Sequence, residues 1–413
     1  MKIPAYTIYL ITQACFGLFF TMMSLVSAIY RVQSAGLDPL QLVLVGTVLE
    51  TTVFLFEIPT GVVADVYSRR LSVIIGYFLI GLGFILEGAF PIFATILLAQ
   101  AIWGFGYTFI SGAEQAWLAD ELGEERLAHI YLRGSQLAQA GTLLGIIVAT
   151  ALGTIALNLP ILLGGALIIL LAVFLALFMP ESGFKATPAA ERHTWQEAQQ
   201  TFKAGVSTVR GRPILTLMML IAVIYGLSSE GLDRLWAAHF LENIAFPAAG
   251  DLEPVVWFGF LGVVQMVLAI GAAEIIRRRV QVENQRAAVH VLLVINAVVV
   301  LALIAFGLAS TFLLAVASIW TIQVLRSSGG ALYGAWLNKG LKPEVRATVL
   351  SMNGQLDAVG QIVGGPIVGA FALRFGLRAA MIAVALMLSP AVGLYARVQQ
   401  LLRQQQSEPS AST

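Results

Sequence analysis

Residues 56–70 read FEIPTGVVADVYSRR, a stretch that is apolar apart from Glu57 and then ends in charged residues. Asp65, Arg69 and Arg70 form that charged end. The chain is almost wholly apolar before and after this stretch. A short charged turn between two long apolar segments is typical of two membrane-spanning helices joined by a tight loop.

The composition of the whole chain agrees with a membrane protein. Hydrophobic residues make up 58% and charged residues 11% of the 413 residues, whereas soluble domains have about 45–50% apolar and about 25% charged residues. Apolar segments of roughly 20 residues recur along the chain, each long enough to cross a hydrocarbon core about 30 Å thick. Continuous apolar runs argue against a β-barrel, which has short alternating segments. The twelve predicted helical spans are 6–30, 40–64, 71–90, 94–119, 128–153, 158–179, 214–241, 255–276, 287–308, 311–337, 346–372 and 377–397.

The distribution of Lys and Arg predicts an orientation. With a cytoplasmic N-terminus, about 19 of the 24 basic residues fall on the cytoplasmic side, as the positive-inside rule requires. Only Arg31, Arg374 and Arg378 fall on the opposite side. We therefore expect both termini in the cytoplasm and a multi-pass protein of the cytoplasmic (inner) cell membrane.

A long polar segment, 181–212, divides the spans into two sets of six. Within it, Thr194 and Glu197 form a potential capping box. The segment is either a surface helix at the cytoplasmic face of the membrane or a solvated linker with a short helix. The predicted division is an N-terminal six-helix bundle, this cytoplasmic linker, a C-terminal six-helix bundle and a disordered tail, at 1–180, 181–212, 213–400 and 401–413.

The two halves also repeat in sequence at one constant spacing. The first match lies at the end of the fourth span of each half, where Ala116, Trp117, Leu118 and Leu122 recur as Ala335, Trp336, Leu337 and Leu341. The second lies in the fifth span, where Gln136, Leu137, Gly141 and Gly145 recur as Gln355, Leu356, Gly360 and Gly364. Both copies cross the membrane in the same direction. The fold class is therefore predicted as all-α, with twelve transmembrane helices in two pseudo-symmetric six-helix bundles.

The loop between the second and third spans has the pattern Gly-x-x-x-Asp-x-x-x-Arg-Arg at residues 61–70. This pattern resembles the loop signature of the major facilitator superfamily, and the helix number, linker and repeat extend the resemblance over the whole chain. The family pattern usually has a basic residue after the Asp and a Gly before the Arg pair, where this chain has Val66 and Ser68.

The resemblance implies a cytoplasmic gate at this loop, which would hold the two halves together when the cavity opens outward. In that gate, Gly61 allows a neighbouring helix to approach closely and Asp65 caps the positive end of a facing helix. The arginines reach a carboxylate such as Asp120. The predicted gate residues are Gly61, Asp65, Arg69, Arg70 and Asp120.

Acidic residues outnumber basic ones inside the predicted spans. A charge at the bilayer centre costs at least about 2.5–3.5 kcal/mol, so some of these carboxylates must be hydrated or protonated. Such groups are what a proton-coupled carrier requires. The residues are Glu50, Glu57, Glu87, Glu114, Glu230, Asp233 and Asp357, against Arg234 and Arg326.

Arg326 and Asp357 lie at matching depths in the tenth and eleventh spans. We predict that Asp357, with Glu50 across the cavity, exchanges partners with Arg326 and the substrate during transport. A permanent structural salt bridge between Arg326 and Asp357 is the alternative. The predicted proton-coupling residues are Asp357, Glu50, Glu57 and Arg326.

The resemblance implies that the first, fourth, seventh and tenth spans line the substrate cavity. An aromatic stripe with one acid in the fourth span suits an amphipathic or cationic ligand, although such stripes also simply fill helix contacts. In the seventh span, Glu230 and Arg234 are four residues apart, which suits an intrahelical ion pair as well as an outer gate or a substrate contact. The predicted cavity residues are Trp103, Tyr107, Glu114, Glu230, Asp233, Arg234, Gln323 and Tyr333.

The function implied is secondary active transport by alternating access, with proton-coupled export of amphipathic or drug-like compounds as the first interpretation. Two departures from other family motifs, Gln100 in place of an Arg and Ile146 in place of a Pro, keep open the alternative of uptake or facilitated transport of a small metabolite. A non-transporting receptor, a channel or an intramembrane enzyme is a different class. An enzyme would need a nucleophile and a base clustered at one depth, and Ser228 and Ser229 with His239 do not form such a set.

No ATP-binding loop and no metal-ligand pattern occurs in the sequence. We therefore expect no cofactor and a proton gradient as the driving force. The expected partners are a small-molecule substrate and the lipid bilayer, without nucleic acid, and the chain is expected to act as a monomer.

Overall fold

The computed structural model describes residues 3–186, 203, 205–207, 209–247, 252–279, 284–339, 341 and 343–407. These residues form α-helices and one short 3₁₀ turn, Glu124–Arg126, and the described part of the chain contains no strand. The helices are α1 (Ala5–Gln33), α2 (Pro39–Val66), α3 (Arg69–Ala89), α4 (Phe93–Ile110), α5 (Ala113–Leu122), α6 (Leu127–Gly153), α7 (Asn158–Phe178), α8 (Pro213–Asn243), α9 (Pro254–Arg279), α10 (Gln285–Leu308), α11 (Phe312–Lys339), α12 (Pro343–Phe375) and α13 (Leu377–Ser407).

Twelve segments of the described chain are helical, long enough and apolar enough to cross a membrane, as the sequence predicted. The fourth of them, Phe93–Leu122, contains both α4 and α5. The fold class is therefore confirmed, whereas the cytoplasmic position of the termini stays a prediction.

The fourth predicted span, 94–119, is not one continuous helix. α4 ends at Ile110, and α5 begins at Ala113 after Gly112, whose φ is +77°. Glycine adopts this left-handed conformation without the steric penalty that other residues meet. The break turns α5 relative to α4, so the single stripe predicted along this span is interrupted between Tyr107 and Glu114.

Side chains close the ends of the helices that flank the signature loop. α2 begins with a capping box in which Asp38 accepts the backbone N–H of Gln41 at 2.8 Å and Gln41 accepts that of Asp38 at 3.0 Å. Ser68 starts α3, and its hydroxyl oxygen accepts the backbone N–H of Leu71 at 2.9 Å. The serine that replaces the family's glycine thus caps the third span.

Two predictions concern the ends of the halves. Thr194 and Glu197 of the predicted linker helix lie outside the described residues. At the C-terminus, α13 continues to Ser407, so its last turns include the beginning of the segment 401–413 that the sequence predicts to be disordered.

The chain forms two compact units. The first contains Met1–Gln196 and Ala248–Val263, and the second contains Glu197–Pro247 and Val264–Thr413. This division follows the two sequence halves except for the short segment that includes the start of α9.

Each unit contains a helix pair held together by glycines. In the first unit, α1 packs on α6, and Gly17 lies against the backbone oxygen of Ala138. In the second unit, α8 packs on α12, and Gly226 lies against the backbone oxygen of Asp357 in the same way. A side chain at either glycine would collide with the facing backbone. The sequence repeat therefore corresponds to a structural repeat, in which α1 matches α8 and α6 matches α12.

Candidate functional site

The predicted gate residues of the first unit form a cluster around Arg69, the first residue of α3. Its guanidinium donates to the carboxylate of Asp120 on α5 and to the backbone oxygen of Ala116, the latter at 2.9 Å. The Asp65 carboxylate at the end of α2 lies 3.7 Å from the same guanidinium. Three predicted gate residues, Asp65, Arg69 and Asp120, are thus brought together.

Arg70 has different partners from those predicted. Its backbone N–H donates to Glu181 at 2.9 Å, and its guanidinium donates to the backbone oxygen of Ala176 at the end of α7. The other carboxylate oxygen of Glu181 accepts the Ser68 hydroxyl at 2.7 Å. Glu181 was not predicted as a gate residue; it follows a proline just after the sixth span.

Gly61 does not have the packing role predicted for it. Among the described residues, no heavy atom lies within 4 Å of a Cβ placed at this glycine. The close approach of a neighbouring helix at this position is therefore absent from the described chain.

The residues that follow α7 also fasten α5. The indole N–H of Trp117 donates to the backbone oxygen of Pro180 at 2.7 Å. The Glu121 carboxylate accepts the Ser182 hydroxyl and the backbone N–H of Gly183, both at 2.7 Å. The helix that carries Asp120 is thus tied both to α3 and to the segment 180–184.

The second unit contains a cavity of about 300 Å³, enclosed by α8, α10, α11, α12 and α13. Part of its lining consists of aliphatic side chains, together with two glycines of α11, Gly329 and Gly330. The polar residues that line the cavity are Tyr225, Ser228, Ser229, Asp233, Asn296, Arg326, Asp357 and Gln361.

An ion pair crosses this cavity from α11 to α8. The Nη1 and Nη2 atoms of Arg326 lie 2.6 and 2.9 Å from the two carboxylate oxygens of Asp233. This two-bond geometry is the strong form of an arginine–carboxylate pair. Asp233 was predicted as a cavity residue and Arg326 as a coupling residue. The two thus form one ion pair.

Arg326 and Asp357 do not form the permanent salt bridge that was the predicted alternative. Their exchange of partners during transport stays a prediction. Asp357 instead accepts the side-chain N–H of Gln361, one turn later on α12, at 2.7 Å. Among the described residues, no cation lies within ion-pair distance of Asp357. The Arg326 guanidinium is bound by Asp233 instead. Two residues at the same depth in two spans come into contact only if their side chains point toward each other, and depth does not determine this.

Glu230 and Arg234 form the intrahelical ion pair that was one of the predicted alternatives. Arg234 donates from Nε to the Glu230 carboxylate at 2.7 Å, and Glu230 is 2% exposed. Neither residue belongs to the lining of the cavity.

The aromatic residues predicted in the fourth span separate. The Trp103 ring packs between Phe20 and Phe84, with ring centroids 5.8 and 5.3 Å apart. Tyr107, one turn later, is 47% exposed. Trp103 therefore belongs to the core of the first unit, and Tyr107 does not.

Glu114 is enclosed within the first unit rather than beside Tyr107. Its two carboxylate oxygens accept the side-chain N–H of Gln13 at 3.0 Å and the Tyr77 hydroxyl at 3.2 Å. The break at Gly112 turns this residue toward α1 and α3. Gln13 and Tyr77 were not predicted as partners of Glu114. The sequence of one apolar span does not show which of its polar residues faces a carboxylate on another helix.

The remaining predicted residues occupy separate places. Tyr333 is buried, donates to the backbone oxygen of Met218 at 3.0 Å and accepts from Asn353 at 2.7 Å. Gln323 is half-buried on α11, outside the cavity lining. Glu50 and Glu57 lie on α2 of the first unit, both within electrostatic range of Tyr107. Their part in proton coupling stays a prediction.

A buried ion pair in the first unit was not anticipated. Arg31 binds both carboxylate oxygens of Glu87, at 2.9 and 3.0 Å, and Gln100 donates to Glu87 at 2.8 Å. The sequence placed Arg31 on the side opposite the cytoplasm and Glu87 among the carboxylates inside the spans, without pairing the two, and Glu87 is 0% exposed. The long arginine side chain folds back from the end of α1 into the bundle.

Metal ligands do not cluster in the described part of the chain, where no three His, Cys, Asp or Glu side chains could hold one ion. The chemistry available is that of carboxylates, guanidinium groups and hydrogen bonds in two places: the cluster around Arg69 and the cavity around Asp233, Arg326 and Asp357.

Comparison with known proteins places these features in a family. A sequence profile of the Major Facilitator Superfamily matches residues 9–364. A protein of Bacillus subtilis (strain 168), described as the uncharacterized MFS-type transporter YxaM, is 24% identical over 373 residues, which is 88% of each chain.

Solved structures share the fold at low sequence identity. A point mutant of the nucleoside transporter NupG has a TM-score of 0.76 and 12% identity, over 95% of this chain and 98% of that one. A bacterial homolog of the human lysosomal transporter Spinster, inward-facing and unoccupied, has a TM-score of 0.73 and 16% identity, over 97% and 98%. The peptide transporter POT in complex with sulfate has a TM-score of 0.74 and 14% identity, over 97% and 94%.

Proposed function

Because the chain belongs to the major facilitator superfamily, we propose that it uses a proton gradient to move a small polar solute across the cytoplasmic membrane by alternating access. The family and the transporter-named relative point to a transporter rather than an enzyme. In this proposal the cavity of the second unit binds the solute, and Asp357 carries the proton.

The observation that supports this proposal most is that two carboxylates share the cavity with one cation. Asp233 binds both terminal nitrogens of Arg326, and among the described residues the Gln361 amide is the one hydrogen-bond donor to Asp357. An ionised carboxylate inside a membrane span costs several kcal/mol unless it finds a partner, water or a proton. Asp357 is therefore the group most suited to bind a proton in one state and release it in another.

The size and the polar groups of the cavity favour a small solute that carries polar groups. Eight polar and seven aliphatic side chains, with two glycines, line a volume of about 300 Å³, which is near the lower end of the range of about 300–1,000 Å³ for ligand pockets. Trp103 and Glu114, which suggested an amphipathic ligand, instead pack inside the first unit. The solved structures of similar fold include, by their names, a nucleoside transporter and a peptide transporter, so solutes of both classes belong in a test.

Export of an amphipathic or drug-like compound is a second candidate, which one observation favours. The exposed Tyr107 ring lies within electrostatic range of Glu50 and Glu57 on α2. An aromatic face next to two carboxylates suits a cationic aromatic compound. This site would lie in the first unit and would not depend on Asp357.

We assign the cluster of Asp65, Arg69 and Asp120 to the gate that opens and closes the cytoplasmic side. Arg69 connects α2, α3 and α5 through its three contacts. Release of these contacts would free the ends of three helices at once. The cytoplasmic location of this cluster follows from the distribution of Lys and Arg.

Transport by the purified full-length protein in liposomes tests the proposal. Uptake of labelled uridine, a labelled dipeptide, labelled 4-amino-1-butanol and ethidium is measured with an imposed pH gradient of either direction. We expect at least one polar solute to accumulate against its gradient. Asp357→Asn should abolish the accumulation of every solute. Counterflow, the exchange of labelled for unlabelled solute without a pH gradient, should persist for uridine, which has no charge to pair with a carboxylate.

Glu242→Gln is the matched control, because Glu242 is an exposed carboxylate on the same helix as Asp233 and outside the cavity. It should accumulate solute like the unmodified protein. Movement of ethidium alone, unaffected by Asp357→Asn, would instead support the second candidate. Equal accumulation by Asp357→Asn and the unmodified protein would rule out the role of Asp357.

A further inference from the structure

The cavity of the second unit identifies the chemical class of its solute. We propose that this solute is a small organic cation, a protonated amine, which binds Asp357 in exchange for a proton. This inference rests on the proposed function, since it concerns the same cavity.

The first argument is the charge of the lining. Asp233 and Arg326 neutralise each other through two short hydrogen bonds, and Asp357 adds one negative charge. A single uncompensated charge inside a membrane protein is unfavourable. Either a proton or a monovalent cation at Asp357 makes the cavity neutral, so the two compete for one carboxylate.

The groups around Asp357 leave this charge uncompensated. The titratable or charged groups near it are Asp233 and Tyr225 on α8, and Arg326 and Tyr333 on α11. α10 contributes the neutral Asn296 to the lining, and α13 contributes only apolar residues. Among the described residues near Asp357, Arg326 is the one cation; it binds Asp233 through two hydrogen bonds and acts on Asp357 without a direct contact, so the net charge of the three groups is −1.

The second argument is that the polar side chains have used most of their hydrogen-bond donors within the protein. The Asn296 amide nitrogen donates to the Tyr225 hydroxyl and to the backbone oxygen of Leu292, both at 2.8 Å. The Ser228 and Ser229 hydroxyls donate to backbone oxygens of their own helix.

The acceptors that remain are the Asp357 carboxylate and the amide oxygens of Asn296 and Gln361, whereas the remaining donors are N–H groups of Arg326 and Gln361. An ammonium group has three donors and no acceptor, so it complements this lining. A quaternary ammonium has the same charge without the N–H donors and should therefore bind less well.

An anionic solute fits the cavity poorly. It would bring a third negative charge into a lining that has two carboxylates, Asp233 and Asp357, and one guanidinium. Arg326 keeps N–H groups that Asp233 does not use, but a nearby like charge is unfavourable. The charge of the lining thus selects against carboxylates and phosphates.

The exchange is balanced in atoms and charge. Protonated Asp357 gives its proton to water as the ammonium group of the solute takes its place at the carboxylate. One proton is released for each monovalent cation bound, and the charge of the cavity does not change. With a proton gradient directed into the cell, this exchange drives the cation outward, as an antiporter does.

Binding to purified protein tests the solute class with four compounds of similar size. They are 4-amino-1-butanol, its neutral analogue 1,4-butanediol, its anionic analogue 4-hydroxybutyrate, and choline. Calorimetric titration at about pH 8 should show binding of the amine, at least about tenfold weaker binding of choline and still weaker binding of the diol and the anion. At about pH 5 the amine should bind at least about tenfold more weakly, and in weak buffer its binding should release protons.

Two variants connect this binding with the cavity. Asp357→Asn should lose amine binding and proton release. Gly330→Leu should also lose binding, because a Cβ at Gly330 meets no atom within 4 Å and the side chain would fill the cavity without disturbing the helix. Gly334→Leu is its matched control, since Gly334 lies one turn further on α11, is equally unobstructed and does not line the cavity.

The inference is overturned if the diol or the anion binds as well as the amine, if the amine does not bind, or if Gly330→Leu and Gly334→Leu bind the amine equally. These failures differ from failure of the proposed function. Asp357-dependent accumulation of uridine or the dipeptide, without amine binding, would contradict the cation class alone. Amine binding with proton release, but no gradient-driven accumulation of any solute, would contradict the transport proposal alone.

Discussion

Tyr30 in the first unit and His239 in the second occupy equivalent positions of the repeat, as do Glu87 and Phe306. The Tyr30 hydroxyl lies 3.0 Å from the backbone oxygen of Glu87, and the His239 ring nitrogen lies 3.0 Å from that of Phe306. The next residues differ. Arg31 forms a buried ion pair with Glu87, whereas the corresponding Phe240 packs its ring 5.8 Å from that of Phe306. One helix contact is therefore stabilised by charges in one unit and by aromatic rings in the other.

The cavity shows the reverse asymmetry. The first unit has Ser24, Tyr107 and Ala138 where the second has Asp233, Arg326 and Asp357. The gate residues are equally one-sided, because Ala288 and Lys339 occupy the positions that correspond to Arg69 and Asp120. The same helix arrangement thus holds a gate in one unit and a charged cavity in the other.

The largest expected effect follows from making the second unit resemble the first at Asp357. Asp357→Ala introduces the residue that the first unit has there. Gradient-driven accumulation of the solute in liposomes should fall to the level of protein-free liposomes, because no carboxylate remains to exchange a proton. The reciprocal change, Ala138→Asp, should not restore accumulation in the same protein. Retention of half the accumulation by Asp357→Ala would show that the charged cavity is not the coupling site.

The second effect tests the exchange of an ion pair for an aromatic pair. Glu87→Gln leaves Arg31 buried without its carboxylate and should lower the free energy of unfolding by about 3–5 kcal/mol. The double change Arg31→Phe with Glu87→Phe reproduces the ring pair of the second unit and should cost much less than the single change. Unfolding by denaturant in mixed micelles measures both. A double variant less stable than Glu87→Gln would mean that the two contacts are not interchangeable.

The third effect concerns the gate. Asp120→Asn removes the charged partner of Arg69, and because this pair is partly exposed it should cost only about 0.5–1 kcal/mol of unfolding free energy. Transport should nevertheless fall several-fold, since the closed gate loses its contact between α3 and α5. Exchanging the charges with Arg69→Asp and Asp120→Arg should recover part of the transport. Equal transport by Asp120→Asn and the unmodified protein would show that the contact between Arg69 and Asp120 is not needed for transport.

The smallest effect compares the helix caps of the two units. Ser68 is the N-cap residue of α3, and Asn284 is that of α10, where its side chain accepts the backbone N–H groups of Arg286 and Ala287. Ser68→Ala should lower the free energy of unfolding by about 1 kcal/mol, and Ser68→Gly, which restores the family's residue, by only a few tenths of a kcal/mol. The same denaturant titration measures the difference. A larger cost for the glycine variant would mean that Ser68 acts mainly through Glu181.

The parts of the fold that depend on one helix at a time could be predicted from the sequence. The length of each apolar run specifies a membrane span, and the repeat of Ala116 and Trp117 as Ala335 and Trp336 specifies two related halves. The break at Gly112 could not be predicted, because glycine is common inside membrane helices and its φ depends on its surroundings. The gate pairing of Arg69 with Asp120 was predictable because the loop that carries Arg69 is short.

The partners of the other charged residues depended on information that the sequence does not contain. Depth along a span placed Arg326 level with Asp357, but the rotation of α11 and α8 about their axes brings it to Asp233 instead. Arg31 was assigned to a loop because it follows the first apolar run, yet its side chain is long enough to reach Glu87. A polar residue four positions along the same helix can also bind a carboxylate. Gln361 does so for Asp357, for which the sequence had predicted a cation from another helix.

The break at Gly112 allows the short helix α5 to tilt about that residue. Asp120 lies about 12 Å along the helix axis from the glycine, so a tilt of about 10° at that joint displaces its carboxylate by about 2 Å. A displacement of that size exceeds the tolerance of a hydrogen bond. A small rotation of the backbone at Gly112 would therefore separate Asp120 from Arg69, together with the contacts that fasten Trp117 and Glu121 to the segment 180–184.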